Sequence, residues 1–242
     1  MSRDSVQRYA RIAGVLFLLT MVAGGFGELI VPRLIVSADP GATARNIVAS
    51  DSLFRLAFAS YLVEALCDVA LAWLLYVLLR PVQQNLSLLA AFFGLVSTAV
   101  YAVAELFYFG ALLILNGGTE YLKTFSPDQV HGLAFLSLTL FQYGGGLFFV
   151  FYGVASILRG YLIFQSGYLP RFLGVLVALG GAGFVVLNFA LVLAPAYASD
   201  LLLLPMMLAV VAMTAWFLAR GVDIPKWEAK AATQPSGNDD GS

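Results

Sequence analysis

The sequence predicts an all-α integral membrane protein, a bundle of six transmembrane helices. Three observations carry this expectation. The 242 residues are 61% hydrophobic and only 11% charged, where a soluble domain carries about 25% charged residues. Mean hydropathy is +0.89. Six segments reach the roughly 20 apolar residues that a crossing needs: 12–31, 53–79, 86–115, 130–158, 172–193 and 201–219. Lipid offers the backbone no hydrogen bonds, so each segment should be helical. The net charge of −1 gives no reason to expect a nucleic acid partner. The expected partner is the lipid bilayer.

The elements follow in order. Pro32 closes the first segment. A signal peptide cleaved after Val36-Ser37-Ala38 is disfavoured, because the apolar run is too long and carries Glu28. Asp39-Pro40 should open a short surface helix to about Ala49. Cys67, the only cysteine, is expected as a small buried hydrophobe and makes no disulfide within the chain. Arg80 and Pro81 close the second segment, and Asn116, Gly117 and Gly118 the third. Ser126-Pro127-Asp128-Gln129 reads as a capping box opening the fourth. The third and fourth segments run to nearly thirty residues, which predicts tilt or projection. Pro195 ends the fifth, and Pro205 should bend the sixth. Residues 222–242 are polar and turn-rich, and a disordered tail is expected there. No loop is long enough for a separate domain, and no inverted repeat is evident.

Lysine and arginine placement orients the chain. With the N-terminus inside, Arg3, Arg8, Arg11, Arg80, Arg159, Arg171, Arg220, Lys226 and Lys230 are cytoplasmic, and Arg33, Arg45, Arg55 and Lys123 lie outside. This predicts both termini in the cytoplasm and a bacterial inner (cytoplasmic) membrane protein. Trp73, Trp216 and Trp227 then fall near the inner interface, where indoles settle.

Charged groups inside a bilayer are costly and tend to be functional. Glu64, Asp68 and Glu105 lie deep in segments, with Glu28 nearer an end, and no lysine or arginine shares their depth. Depth can be counted from an inner-side residue of each segment: Arg11, Arg80, Ser87, Arg159, Arg171 and Arg220. Glu28, Glu64, Glu105, Gln142, Asn188 and Pro205 then stand at about 22–27 Å, at about 1.5 Å per residue. Stripes support the layer. Tyr61 shares a helical face with Glu64 and Asp68; Gly94, Thr98, Tyr101, Glu105 and Tyr108 share another. Gly132, Thr139, Gln142, Gly146 and Gly153 form a third, and Gly14, Phe17, Met21, Gly24 and Glu28 a fourth.

The layer predicts an outward-facing polar pocket with proton-coupling carboxylates Glu28, Glu64, Asp68 and Glu105, together with Tyr61, Tyr101, Gln142 and Asn188. His131, the only histidine, is a candidate for the pocket mouth. The alternative has the acids protonated and tying helices together. Zinc is a poor fit with one histidine available; protons or hard cations suit carboxylates better. No particular metal is assigned and no cofactor is expected, because no phosphate loop, catalytic triad or zinc-protease motif is present. Gly144-Gly145-Gly146 is either a hinge or a packing face, and Gly180, Gly181 and Gly183 are packing positions.

Two stretches carry a resemblance: Arg8-Tyr9-Ala10-Arg11-Ile12-Ala13-Gly14, and Ser166-Gly167-Tyr168-Leu169-Pro170-Arg171-Phe172-Leu173-Gly174. Through them the chain resembles the bacterial membrane family catalogued as domain of unknown function 4386, over most of its length. The resemblance implies a compact multi-pass protein and transfers no functional residue. The expected function is therefore a small-solute or cation transporter or binding protein. A non-catalytic membrane component is the alternative, and a carboxylate- or metal-dependent membrane enzyme a more distant one.

Overall fold

A computed structural model describes residues 3–116 and 120–233. Among them there are eight α-helices and no strand: α1 (Arg3–Leu34), α2 (Pro40–Ala49), α3 (Asp51–Leu79), α4 (Gln84–Leu115), α5 (Pro127–Ser166), α6 (Arg171–Leu193), α7 (Leu204–Ala219) and α8 (Ile224–Ala232). Six helices are long and apolar enough to cross a membrane. The protein is an all-α multi-pass membrane protein, as expected.

Several boundaries differ from the sequence reading. Helix α1 runs through Pro32 to Leu34, so that proline sits in the last turn instead of ending the helix. Helix α5 is 40 residues long and continues seven residues past Arg159, about 60 Å at 1.5 Å per residue. Pro205 does not bend the last crossing. It lies in the first turn of α7, after a 3-10 turn at Asp200–Leu203, where its missing N–H costs nothing. The capping box before α5 forms: Ser126 N donates to Gln129 Oε1 at 2.8 Å. Asp39 Oδ1 accepts from Ala42 N at 2.8 Å and caps α2.

Contacts divide the chain into two compact units. The first comprises 1–18, 69–96 and 149–242. Its core gathers Ala10, Phe17, Leu78, Leu162, Leu173 and Phe217, among others. Glycines bring α5 and α6 to backbone contact. A Cβ on Gly160 would stand 2.6 Å from the Gly174 carbonyl oxygen, and one on Gly174 would stand 2.6 Å from that of Gly160. Seven residues away, Gly153 and Gly181 meet in the same reciprocal way, at 2.6 and 2.5 Å. Gly180 packs on Met206 and Gly183 on the Leu202 carbonyl, which makes these the packing positions the sequence suggested.

The stretch from 222, expected to be disordered, instead carries α8 as far as Ala232; the rest of that expectation, 234–242, falls outside the described residues. Asp223 caps the helix, its side chain accepting from Lys226 N. Hydrogen bonds from Lys226, its side chain first, hold the Asp223 carboxyl below the usual range. The Glu228 carboxyl is likewise lowered, chiefly by its hydrogen bonds from Arg3 at 2.9 and 3.0 Å. Its buried anchor is Trp227, whose indole N–H donates to the Leu78 carbonyl at 3.0 Å, with Ile224 and Ala231 packed partly buried on the same core. That carbonyl lies in the last turn of α3, where carbonyls lack helical partners. It also accepts from the Tyr168 hydroxyl at 2.8 Å. Tyr168→Phe should lower stability by about 1 kcal/mol, read by thermal denaturation in detergent. An unchanged melting temperature would mean that Trp227 alone satisfies Leu78. All three tryptophans belong to this unit.

The second unit comprises 19–68 and 97–148. It contains α2 and parts of α1, α3, α4 and α5. Helix α2 is tied to the end of α1: Asn46 Nδ2 donates to Leu34 O at 3.2 Å, and Thr43 Oγ1 accepts from Val36 N at 2.9 Å. An aromatic cluster fills the interior. Phe54 and Tyr108 stack at 4.1 Å between centroids, Phe58 and Phe109 at 4.7 Å, and Phe141 lies 5.3 Å from Tyr108.

Candidate functional site

The site lies in the second unit and is built from α1, α3, α4 and α5. On α3, Tyr61 and Glu64 are one turn apart and share a face. On α4, Tyr101, Glu105 and Tyr108 do the same. Glycines on α1 admit the α3 side chains. A Cβ on Gly24 would stand 2.6 Å from Glu64 Oε2, and one on Gly27 would overlap the Tyr61 ring. The small residues of α1 are thus the space in which the Glu64 carboxyl and the Tyr61 phenol sit.

Hydrogen bonds then distribute unevenly. The Tyr101 hydroxyl donates to Glu64 Oε2 at 3.0 Å. The Tyr61 hydroxyl reaches Glu28 Oε1 at 3.4 Å, a long contact. The Tyr108 hydroxyl donates to the Phe54 carbonyl at 3.1 Å. Glu105 is only 1% exposed, and neither of its carboxyl oxygens has a hydrogen bond of good geometry among the described residues, although the Tyr101 side chain, which donates to Glu64, lies within reach of it. It interacts electrostatically with Glu64 and Glu28 and with all three tyrosines. A buried polar group without a partner costs about 1–3 kcal/mol, so Glu105 is the anomaly of this site.

Asp68 and Glu28 adjoin these groups. Asp68 interacts electrostatically with Glu64 and has further interactions of its own. Glu28 is at the exposed rim. Gln142 is exposed, and its neighbour Phe141 takes the interior position. The buried face of α5 repeats every seven residues through Ala134, Phe141, Phe148 and Ala155, which places Gln142 about 100° off that face. Asn188 belongs to the first unit. It is buried and returns its amide to Phe184 O on its own helix at 2.8 Å. His131 Nδ1 lies beside Gly41 at the start of α2, where Asp39 Oδ1 and Arg45 Nη1 also converge, and not among the acids. The expected open pocket is absent at Glu105: Tyr61, Tyr108, Phe141 and Phe148 are all buried around the carboxylate layer. Gly144 packs on Ala104.

Residues 12–221 match the family described as Domain of unknown function (DUF4386). The chain belongs to this family. An uncharacterized protein of Archaeoglobus fulgidus is 30% identical over 120 residues, which is 49% of this chain and 57% of that protein. The match therefore spans little more than half the length of the relative. No solved structure matches. The DUF4386 description names no activity, so roles in this chain rest on geometry.

That geometry adds one residue of the DUF4386 chain whose burial the sequence did not reveal. Arg159, taken as a boundary marker, is 7% exposed and lies in the first unit. Its guanidinium sits 6.0 Å from the Tyr152 ring and against Gly94, where a Cβ would overlap it. With Tyr152, Ser156 and Met206, Arg159 lines a cavity of about 30 Å³. That is room for one or two waters, too little for an organic solute.

Proposed function

We propose that this DUF4386 chain binds and transports a small solute or cation by coupling to protons at the Glu64–Glu105 layer. The observation that carries the proposal is Glu105, deeply buried with neither carboxyl oxygen in a hydrogen bond of good geometry among the described residues. A structural acid would be expected to find its hydrogen bonds. An acid that receives a proton or a solute during a cycle leaves some unmade between steps. The neighbouring Glu64, held by Tyr101, supplies a second carboxyl through which a proton can pass. The charge count of the sequence supports cytoplasmic termini, which sets the access side for α2 and the α3 start as external.

The competing reading is a non-catalytic component whose acids sit in a dry seam, and the closed aromatic packing around Glu105 favours it. The two are separated in proteoliposomes with an imposed pH gradient and a panel of amines, amino acids, sugars and sodium. Gradient-driven uptake of one class is expected, slowed at least tenfold in Glu64→Gln. Uptake unchanged in Glu64→Gln, or none for any solute, would leave the seam.

A further inference from the structure

We infer that the Tyr101 hydroxyl carries the proton between Glu64 and Glu105, and that Glu105 loads and unloads through it alone. This rests on the transport reading above and names the group that moves the proton within that layer.

The first argument is placement. Tyr101 and Glu105 are four residues apart on α4, so their side chains are neighbours on one face. Helical side chains lean toward the N-terminal end of their helix, which sets the Glu105 carboxyl over the turn that carries Tyr101. The Tyr101 hydroxyl donates across to Glu64 Oε2 on α3 at 3.0 Å and is within reach of Glu105 on its own helix. One phenol oxygen thus stands between two carboxyls, the first half-buried and the second 1% exposed. Phe148 at 4.8 Å and Tyr61 at 6.0 Å hold the Tyr101 ring, so the oxygen is fixed while its hydrogen can turn from one carboxyl to the other.

The second argument is elimination among the neighbours. The Tyr61 hydroxyl turns to Glu28 at the exposed rim, and the Tyr108 hydroxyl donates to the Phe54 carbonyl. Phe141 and Phe148, packed on these tyrosines from α5, have no side-chain proton to exchange. Asp68 and Cys67 lie on the Glu64 side. Tyr101 remains as the hydroxyl that joins the buried acid to the others. A proton needs no cavity, so the closed aromatic packing is no obstacle to it.

The step balances as an exchange. With Glu64 ionised and Glu105 protonated, Tyr101 passes its hydrogen to Glu64 while its oxygen takes the Glu105 hydrogen. One O–H bond breaks on Tyr101 and one on Glu105; one forms on Glu64 and one on Tyr101. The phenol ends neutral, and one negative charge has moved from Glu64 to Glu105. The reverse reloads Glu105. Such transfers need heavy atoms about 2.6–3.2 Å apart, the range that Tyr101 already keeps with Glu64.

The test follows hydrogen–deuterium exchange of the Glu105 carboxylic acid by infrared spectroscopy, on the full chain in nanodiscs with no solute and no gradient. Its C=O band is the one that Glu105→Gln removes. Tyr101→Phe keeps the ring and its packing, and should slow exchange of that band at least tenfold. Tyr108→Phe also loses a hydroxyl one turn from Glu105, and should leave the rate within twofold of wild type. A Tyr101→Phe rate that is not slowed, equal slowing in Tyr108→Phe, or no Glu105 band from acid to alkaline pH would overturn the inference. Slowed exchange in Tyr101→Phe without gradient-driven uptake of any solute would keep the relay and remove the transport reading. Unslowed exchange together with uptake that Glu64→Gln abolishes would do the reverse.

Discussion

Gly160→Leu will prevent the chain from accumulating as folded protein in membranes. Gly160 and Gly174 meet backbone to backbone, and a Cβ on either stands 2.6 Å from the other's carbonyl oxygen. A Cβ contact under about 3.0 Å forces a shift, and here the obstacle is main chain, which has no rotamer to change. Separating α5 from α6 would also undo the Gly153–Gly181 contact seven residues along. Helix association in lipid depends on such close approach, because apolar side chains gain little by leaving one apolar medium for another. The cost should exceed about 4 kcal/mol, the range reserved for a broken core. Membrane fractions and detergent melting curves would report it. The control is Gly145→Ala, where an added Cβ meets nothing within 4 Å. That change should be neutral or gain up to about 1 kcal/mol from helix propensity. Comparable loss in both variants would mean that the glycines matter for something other than contact.

Glu105→Met should make the protein more stable, by about 1–3 kcal/mol, while removing its function. The carboxyl is buried without a hydrogen bond of good geometry among the described residues, and that penalty disappears when an apolar side chain of similar length replaces it. Residues kept for activity at the expense of stability behave this way. Chemical denaturation in mixed micelles, run on wild type and variant together, measures the difference. A variant less stable than wild type would show that Glu105 holds the helices together, and the transport reading would lose its main support.

The six crossings were legible because lipid leaves long apolar runs with one conformation. The acids Glu64 and Glu105 and their tyrosines Tyr61 and Tyr101 were legible for a related reason: polar groups in such runs are few, and i, i+3 and i+4 spacing decides which share a face. Counting levels was not enough to say which way Gln142 faces. A shared depth does not give a shared azimuth, and Gln142 stands one residue from the buried Phe141. The burial of Arg159 was not legible, because an arginine near the end of an apolar run gives no sign of what will cover it. Helix α8 was hidden by composition, since a short polar segment with one buried tryptophan owes its order to what receives that side chain.

The placement of the tryptophans has a practical consequence. Trp73, Trp216 and Trp227 all lie in the first unit, and the carboxylate layer in the second contains none. Intrinsic indole emission is therefore a reporter of one unit and silent about the other. A ligand at Glu105 need not change the native emission at all. Phe148→Trp, beside Tyr101, would install a second optical channel where the acids are.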